Sequence, residues 1–205
     1  MEKKEEDLEP YMDPKNYTKR GNFLYLGVAG GDYRQGGFYR KVIKDWASKS
    51  DKPPAFIHNA EHFYNICGTS KSRIWIFGEG NIGATIGIPK YMFRDILAIE
   101  CFPIFASLAV RDVCNKYAPG CYISKFPNDV VCKEHQGKTA GILLRRVDPY
   151  VCCVFGVNTQ THPPKEDLRK DGLNACSLKE HCPNPQGQSH QPWHYPHAFC
   201  ESCRL

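Results

Sequence analysis

The apolar residues of this chain fall into short runs that glycine and proline interrupt, and this pattern limits the fold more than any other feature. Two segments, 38–47 and 99–117, repeat apolar residues at helical spacing. Other runs are short and rich in β-branched or aromatic residues, which predicts strands at 23–26, 74–77, 84–88, 121–124, 139–144 and 151–157. Helices and strands in this mixed order predict a single α+β domain, with a mixed or antiparallel sheet packed against helices.

The chain divides by composition into an arm, a domain and a tail. Residues 1–20 are charged and lack periodicity, so we expect a mobile N-terminal arm. Residues 21–180 hold every predicted element, including two further helical segments at 165–170 and 174–180. Residues 181–205 are rich in cysteine, histidine and proline and cannot build a core alone. With 205 residues, the chain is long enough to bury one self-sufficient core.

Charge, apolar content and cysteine content indicate which partners and which cellular compartment to expect. The formal net charge of +5 is too mild to indicate a nucleic-acid partner. The N-terminal residues have no apolar signal core, and no apolar stretch reaches membrane-spanning length. We therefore expect a cytoplasmic protein without a membrane partner, in which most of the 11 cysteines are free thiols. Composition does not specify the oligomeric state.

Gly78, Gly80 and Gly83 follow a predicted strand with the spacing G-x-G-x-x-G. A dinucleotide site of this spacing needs a helix that opens at the third glycine, so that backbone N–H groups face the pyrophosphate. Residues 84–89 are instead rich in small and β-branched residues and end in proline. A hairpin turn between two strands is therefore the better interpretation.

Two lysines mark the ends of predicted strands in the second half of the chain. Lys125 ends one strand, before a proline and two short polar residues, and Lys138 enters the next. Two ammonium groups at one end of adjacent strands would form a site for an anion such as a carboxylate or phosphate. The alternative is a solvated hairpin with ordinary surface lysines, which would be favoured for an isolated lysine pair.

Four motifs occur in order in the same half of the chain. They are KFPND at 125–129, KTAGIL at 138–143, GVN at 156–158 and ACSLKE at 175–180. In order and spacing these motifs resemble the catalytic domain of the biotin protein ligases, within the biotin and lipoate ligase family. That family carries Lys-Trp-Pro-Asn-Asp, Lys-x-x-Gly-Ile-Leu, Gly-x-Asn and a segment like Ala-Thr-Ser-Leu-Lys-Glu. The resemblance covers residues 74–180 well and residues 21–73 weakly.

The resemblance implies roles for single residues. Lys138 matches the lysine that contacts the biotin carboxylate and the adenylate phosphate, so it is the expected principal catalytic residue, with Lys125 opening the first motif. Asn128 and Asp129 match a pair beside the adenylate and its Mg²⁺. The other expected binding residues are Gly141, Ile142 and Leu143, whose backbone would run along biotin, and Gly156 and Asn158 toward the adenine.

The activity implied by the resemblance is ATP-dependent activation of biotin. Biotin and ATP would give biotinyl-AMP and pyrophosphate with Mg²⁺, and the biotinyl group would pass to a lysine on the biotin carrier domain of a carboxylase. A lipoate or octanoate ligase or transferase is a related alternative. A catalytically impaired or inactive ligase-fold binding module is an alternative of another class.

The inactive alternative arises because the family's signature loop is altered. The family carries Gly-Arg-Gly-Arg-x-Gly-Arg, then a Trp and, five residues later, a Gly, and here Trp75 and Gly80 match that ending. The preceding residues, 67–73, read CGTSKSR and keep one glycine of the loop. Lys71 and Arg73 would replace part of the positive charge but not the backbone freedom of the lost glycines.

The tail offers a separate chemistry. Cys200 and Cys203, with Cys182 and one histidine, have the composition of a Cys₃His zinc site. Only one Cys-x-x-Cys pair is present, so we favour a disordered tail over a zinc site. His58, His62 and His135 share no ligand spacing, and we expect them to be surface or satisfied histidines.

Overall fold

The computed structural model describes residues 18–20, 23–29, 37–60, 66–67, 74–76, 78, 80–168, 170 and 172–181. The strands in this part are β1 (Thr18–Arg20), β2 (Phe23–Ala29), β3 (Ala55–Ala60), β4 (Ile66–Cys67), β5 (Ile74–Trp75), β6 (Ile82–Pro89), β7 (Tyr122–Lys125), β8 (Asp129–Cys132), β9 (Lys138–Val147) and β10 (Tyr150–Val157). The helices are α1 (Gly37–Lys49) and α2 (Ile96–Tyr117), with short 3₁₀ turns at Lys90–Met92, Lys165–Asp167 and Leu178–Glu180.

Eight strands form one mixed sheet, in the order β1-β2-β3-β6-β10-β9-β8-β7. The β2–β3 pair is parallel, and the other neighbours in this sheet run antiparallel. Strands β4 and β5 pair with each other in a separate two-stranded sheet. The α+β class predicted from the sequence is confirmed.

Helix α2 covers one face of the sheet. Its N-terminus is capped by Asp95, whose Oδ1 accepts the Ala98 N–H at 2.8 Å. Buried residues of α2 join alternate residues of β6, β8, β9 and β10 in one core cluster. Val110 and Cys114 of the helix pack there with Ala140, Ile142 and other strand residues. This alternation assigns the strands' intervening residues to the opposite face.

On that opposite face, α1 contributes Trp46 to an aromatic cluster. Trp46 meets Phe56 edge to face at 5.8 Å between ring centroids, and Phe56 lies 5.5 Å from Tyr150. The Phe56 ring covers Gly87 of the neighbouring strand, where a Cβ atom would come within 2.0 Å of the ring. The cluster covers the end of this face that contains Gly87, and it does not cover the end that contains Gly83 and Gly156.

Several local predictions are confirmed and others are wrong. The two long helices and the strands at 23–26, 84–88, 121–124, 139–144 and 151–157 are present with extended or shifted bounds. Strand β8 was missed, because its four residues begin inside the polar KFPND motif, at Asp129. The described residues of 165–170 and 174–180 form 3₁₀ turns and non-helical chain rather than the predicted helices. The first segment buries no residue of its turn, and the second is held extended by hydrogen bonds to β9.

The glycine turn does not hold a dinucleotide motif. Gly83 lies inside β6 and not at the start of a helix. The predicted hairpin across this turn is also wrong, because β5 pairs with β4 and not with β6. Gly80 adopts a φ of +74°, which its lack of a side chain permits.

The chain's end segments fall largely outside the described residues. Thr18–Arg20, which the sequence prediction counted with the mobile arm, form β1 and pair with β2. Residues 1–17 and 182–205 are not described. Within the described part, neither helix combines the length and apolar character needed to cross a membrane. Cys152 and Cys153, adjacent in sequence, are both buried in β10.

His58 makes the stability of this fold depend on pH. It lies on β3 with 3% of its surface exposed, and burial lowers its pKa to about 3 from the ordinary 6.5. Below pH 6.5 the unfolded chain takes up a proton at this residue while the folded chain does not, so acid favours unfolding. We expect the free energy of unfolding to fall by about 2 kcal/mol between pH 6.5 and 4.5 through this group.

The measurement is urea unfolding of the wild type and His58→Gln at several pH values in this range. The variant should lose the extra slope, whereas His135→Gln, which alters an exposed histidine, should keep it. Equal slopes for the wild type and His58→Gln would contradict this assignment.

Candidate active site

Lys138 is placed by an irregularity in the pairing of β8 with β9. The register runs Asp129↔Gly141 and Val130↔Ala140 and then shifts to Val131↔Lys138, so Thr139 is an extra residue on β9. Thr139 contacts Cys176 of the α2-side core, and Ala140 belongs to that core too. The bulge therefore turns Lys138 to the other face, where Asp129 and Gly141 lie.

The Lys138 ammonium is held by an acidic and an aromatic partner. Its Nζ lies 2.7 Å from Asp129 Oδ1 and 5.3 Å from the centroid of the Trp75 ring. The side chains of Lys138 and Asp129 are 30% and 20% exposed. An ammonium group that is held in this way and partly buried is positioned to bind a carboxylate or phosphate.

Trp75 lies over two members of a row of three glycines. Gly83, Gly156 and Gly141 are paired across β6, β10 and β9, and the next residue in the row is Asp129. A Cβ atom on Gly156 would come within 2.8 Å of the Trp75 indole, and one on Gly141 within 2.9 Å of it. The indole therefore rests directly on the sheet backbone, which only glycine allows.

Two asparagines connect the motifs to each other. Asn128 Nδ2 donates to the Ile142 carbonyl at 2.5 Å, and the Ile142 N–H donates to the Asn128 carbonyl at 2.9 Å. Asn158 Nδ2 donates to the Lys138 carbonyl at 3.3 Å. Asn158 Oδ1 and Trp75 Nε1 are buried and have no hydrogen-bond partner among the described residues, so they offer a ligand one acceptor and one donor.

The structure corrects two details of the predicted site. Strands β7 and β9 are not adjacent, because β8 lies between them. Lys125 pairs with Asp129 at the exposed end of β7, and the Lys138 backbone lies nearer the other end of the hairpin. Only the long side chain of Lys138 reaches back to Asp129. The two lysines do not enter side by side.

Ile142 is also placed differently from the expectation. Its side chain is buried in the core beneath α2, and its N–H is engaged by Asn128. Its backbone N–H is therefore not open to a ligand. Gly141 and Leu143 lie on the Lys138 face of the same strand, and their contact with biotin stays a prediction.

The remaining predicted residues lie outside the described part of the chain. Lys71 and Arg73 of the altered loop are not described, and neither are Cys182, Cys200 and Cys203 of the tail. Their predicted roles stay predictions.

His58 takes part in this region although sequence reasoning missed it, and the segment 174–178, which overlaps the ACSLKE motif, has a role that was not predicted. His58 pairs with Thr85, two residues along β6 from Gly83, and both side chains are buried on the Lys138 face. The sequence did hold one signal for this position: His58 lies two residues after Phe56 on β3, so the two side chains share a face of the sheet. The segment supplies the Asn174 carbonyl, which accepts the Lys138 N–H at 2.6 Å, and the Cys176 N–H, which donates to the Lys138 carbonyl at 3.2 Å.

Solved structures of ligases resemble this arrangement of elements. The biotin protein ligase of Leishmania major, in complex with biotinyl-5-AMP, aligns with a TM-score of 0.61 and 19% identity over 78% of this chain and 64% of that chain. The ligase of Aquifex aeolicus, in complex with biotin and ATP, aligns with a TM-score of 0.57 and 16% identity over 89% of this chain and 68% of that one. The chain has the biotin and lipoate protein ligase fold.

The likeness extends to the lipoate branch of this fold. A bipartite lipoate protein ligase from Thermoplasma acidophilum aligns with a TM-score of 0.56 and 9% identity, over 90% of this chain and 82% of that one. No protein-family model and no curated protein sequence matches the chain. Identities this low establish the ligase fold alone, and this chain spans less than two thirds of the Leishmania enzyme.

The contact between Trp75 and the glycine row predicts an energetic coupling. Gly156→Ala should push the indole off the sheet and lower the free energy of unfolding by about 1–3 kcal/mol. In a Trp75→Ala background the added methyl group has space, so the same substitution should cost much less. A double-mutant cycle by urea unfolding measures this difference.

Gly120→Ala is the matched control. Its methyl group meets open space, and its cost comes from the positive φ of +75°, so this cost should be the same with and without Trp75. If the Gly156 and Trp75 substitutions prove additive, the packing described for the indole is wrong.

Proposed function

We propose that the chain activates biotin with ATP and transfers the biotinyl group to a lysine of a carrier protein. The observation that carries this proposal is the Lys138 ammonium, held between Asp129 and Trp75 over a strand surface that glycine keeps bare. The ligase fold and the order of the four motifs support the same reaction class.

The substrate acid would lie on the Lys138 face with its carboxylate at the ammonium. Lys138 has a negative partner in Asp129, so an incoming carboxylate and phosphate would share a cation that is already in position. Trp75 Nε1 and Asn158 Oδ1 are available as donor and acceptor for polar atoms of biotin or adenine.

The first step is an in-line displacement at the α-phosphorus of ATP. A carboxylate oxygen of biotin forms the new P–O bond, the bond from the α-phosphorus to the bridging oxygen breaks, and pyrophosphate leaves. Negative charge on the α-phosphoryl oxygens is met by Lys138 Nζ, which Asp129 and Trp75 hold in place. In the second step an acceptor lysine amine attacks the acyl carbon, AMP leaves, and the amine gives up a proton.

The residues fit Mg²⁺ carried in by the nucleotide. Asp129 is the only carboxylate that the described residues bring to Lys138, and a single carboxylate suits an ion that keeps water and phosphate as its main ligands. The ion would add positive charge at the phosphates. Asp129 would hold it, and Lys125 at the exposed end of β7 would add a second cation at the mouth of the site.

Two alternatives stay within the same fold. The Thermoplasma lipoate ligase neighbour favours a lipoyl substrate as the second choice. The altered loop at 67–73 favours a binding module that holds the acid without activating it. The acceptor would be a biotin carrier domain of a carboxylase for a biotin ligase and a lipoyl domain for a lipoate ligase.

Pyrophosphate release tests the catalytic assignment. With Mg²⁺-ATP and biotin, Lys138→Ala should release pyrophosphate at least about 100-fold more slowly than the wild type, because it removes the cation at the developing charge. Lys44→Ala, which removes an exposed ammonium on α1, should keep the wild-type rate. A wild type that releases no pyrophosphate with either biotin or lipoate would exclude a ligase.

Thermal unfolding with ligands separates an enzyme from a binding module. A ligand that binds only the folded chain raises Tm by mass action. We expect biotin to raise Tm and ATP to raise it further when biotin is present, while lipoate has a smaller effect. A Tm shift with biotin that ATP does not increase would favour the binding module. A larger Tm shift with lipoate than with biotin would indicate a lipoyl substrate.

A further inference from the structure

Behind Lys138, on the α2 side of the sheet, two thiols and an imidazole converge. Cys132 ends β8, and His181 follows the last 3₁₀ turn. Cys176 lies between them in sequence, in the segment 174–178 that runs beside β9 and is called the returning segment below. The two Sγ atoms and a ring nitrogen of His181 all lie within 4.8 Å of one another. The three residues are brought together from separate parts of the sequence by the hydrogen bonds of the returning segment.

The His181 ring lacks a partner at one atom. Its Nε2 is buried and has no hydrogen-bond partner among the described residues. A buried ring nitrogen that is left unsatisfied is costly, so its presence beside two thiols needs an explanation. The ring itself is held by an edge-to-face contact with Tyr122 at 5.9 Å between centroids.

The surroundings of Cys176 suit a metal-bound sulfur. Its Sγ lies 2.8 Å from Thr139 Oγ1, and a hydroxyl at this distance can donate to a thiolate. Without a metal, burial raises the pKa of the Cys176 thiol to about 11, and the thiol donates to the Gly137 carbonyl at 3.2 Å. Coordination would release the thiol proton to solvent and leave the Thr139 hydroxyl to orient the sulfur.

We propose that Cys132, Cys176 and His181 bind one Zn²⁺ ion. Two sulfurs and one imidazole nitrogen are the donors that this ion prefers, and donors within 4.8 Å need move by only about 1 Å to reach zinc bond lengths. His135, whose ring lies 5.3 Å from that of His181, offers a fourth donor after a change of rotamer. This site uses none of the tail cysteines that the sequence suggested.

The site would act on Lys138 through the backbone. Ala175, next to Cys176, forms a parallel bridge with Lys138, and the Cys176 N–H donates to the Lys138 carbonyl at 3.2 Å. A metal bound to Cys176 would fasten the returning segment to β8 as well as to β9. It would thereby stiffen the strand that carries Lys138, whichever reaction that lysine serves.

The experiment uses the full chain, purified without chelator, incubated with Zn²⁺ and dialysed before elemental analysis. The wild type should retain about one zinc per chain, and chelator should lower its Tm. Cys176→Ser and His181→Ala should each lose the metal, and Co²⁺ should give a thiolate-to-cobalt absorption band in the wild type but in neither of these two variants. Cys114→Ala, which removes a buried thiol of the same core but not of the cluster, should retain the metal.

A tail variant with Cys182, Cys200 and Cys203 replaced by serine separates the two sources of zinc binding. It should keep its metal and its chelator-sensitive Tm. Loss of zinc from this variant, together with retention in Cys176→Ser and His181→Ala, would overturn the proposal. So would a wild type that binds no zinc, or one in which mass mapping finds a disulfide between Cys132 and Cys176.

Discussion

The extra residue at Thr139 sets which side chains of β9 face the core and which face the open side of the sheet. Without it, the alternation that places Ala140 and Ile142 beneath α2 would direct Lys138 to the core side. A lysine there would have to bury its charge against apolar side chains, at a large cost in free energy. The bulge lets one strand supply both a continuous core face and a cation on the opposite face.

The open face depends equally on residues that have no side chain. Glycine weakens a strand, because it loses more conformational freedom and packs nothing. Three glycines side by side on β6, β10 and β9 therefore represent a loss of sheet stability at one place. That loss is offset by the space they leave, which Trp75 shares with the Lys138 side chain. Packing elsewhere on the two faces adds stability to the sheet. Helix α2 packs against one face, and the Trp46–Phe56–Tyr150 cluster lies on the other.

Sequence reasoning recovered the features that are encoded locally. The helical repeat of 99–117 predicts α2, and the motif order predicts that Lys138 and Asp129 share a site, where the structure joins them by an ion pair. It failed where a position depends on distant backbone. The bulge at Thr139, the burial of His58 on the site face and the contact of Trp75 with two glycines each need the register of several strands, which no local pattern specifies. Strand β8 and the extended segment at 174–178 were missed for the same reason, because tertiary hydrogen bonds hold them.

The returning segment has a consequence for how the protein is made. Leu178 is buried in the core beneath α2, and Asn174 and Cys176 provide hydrogen bonds that the backbone of β9 needs at Lys138. During synthesis the N-terminal elements emerge first. The sheet cannot reach its native packing around Lys138 until residue 178 has left the ribosome, so the core and the site must form together, after the elements that precede this segment have emerged.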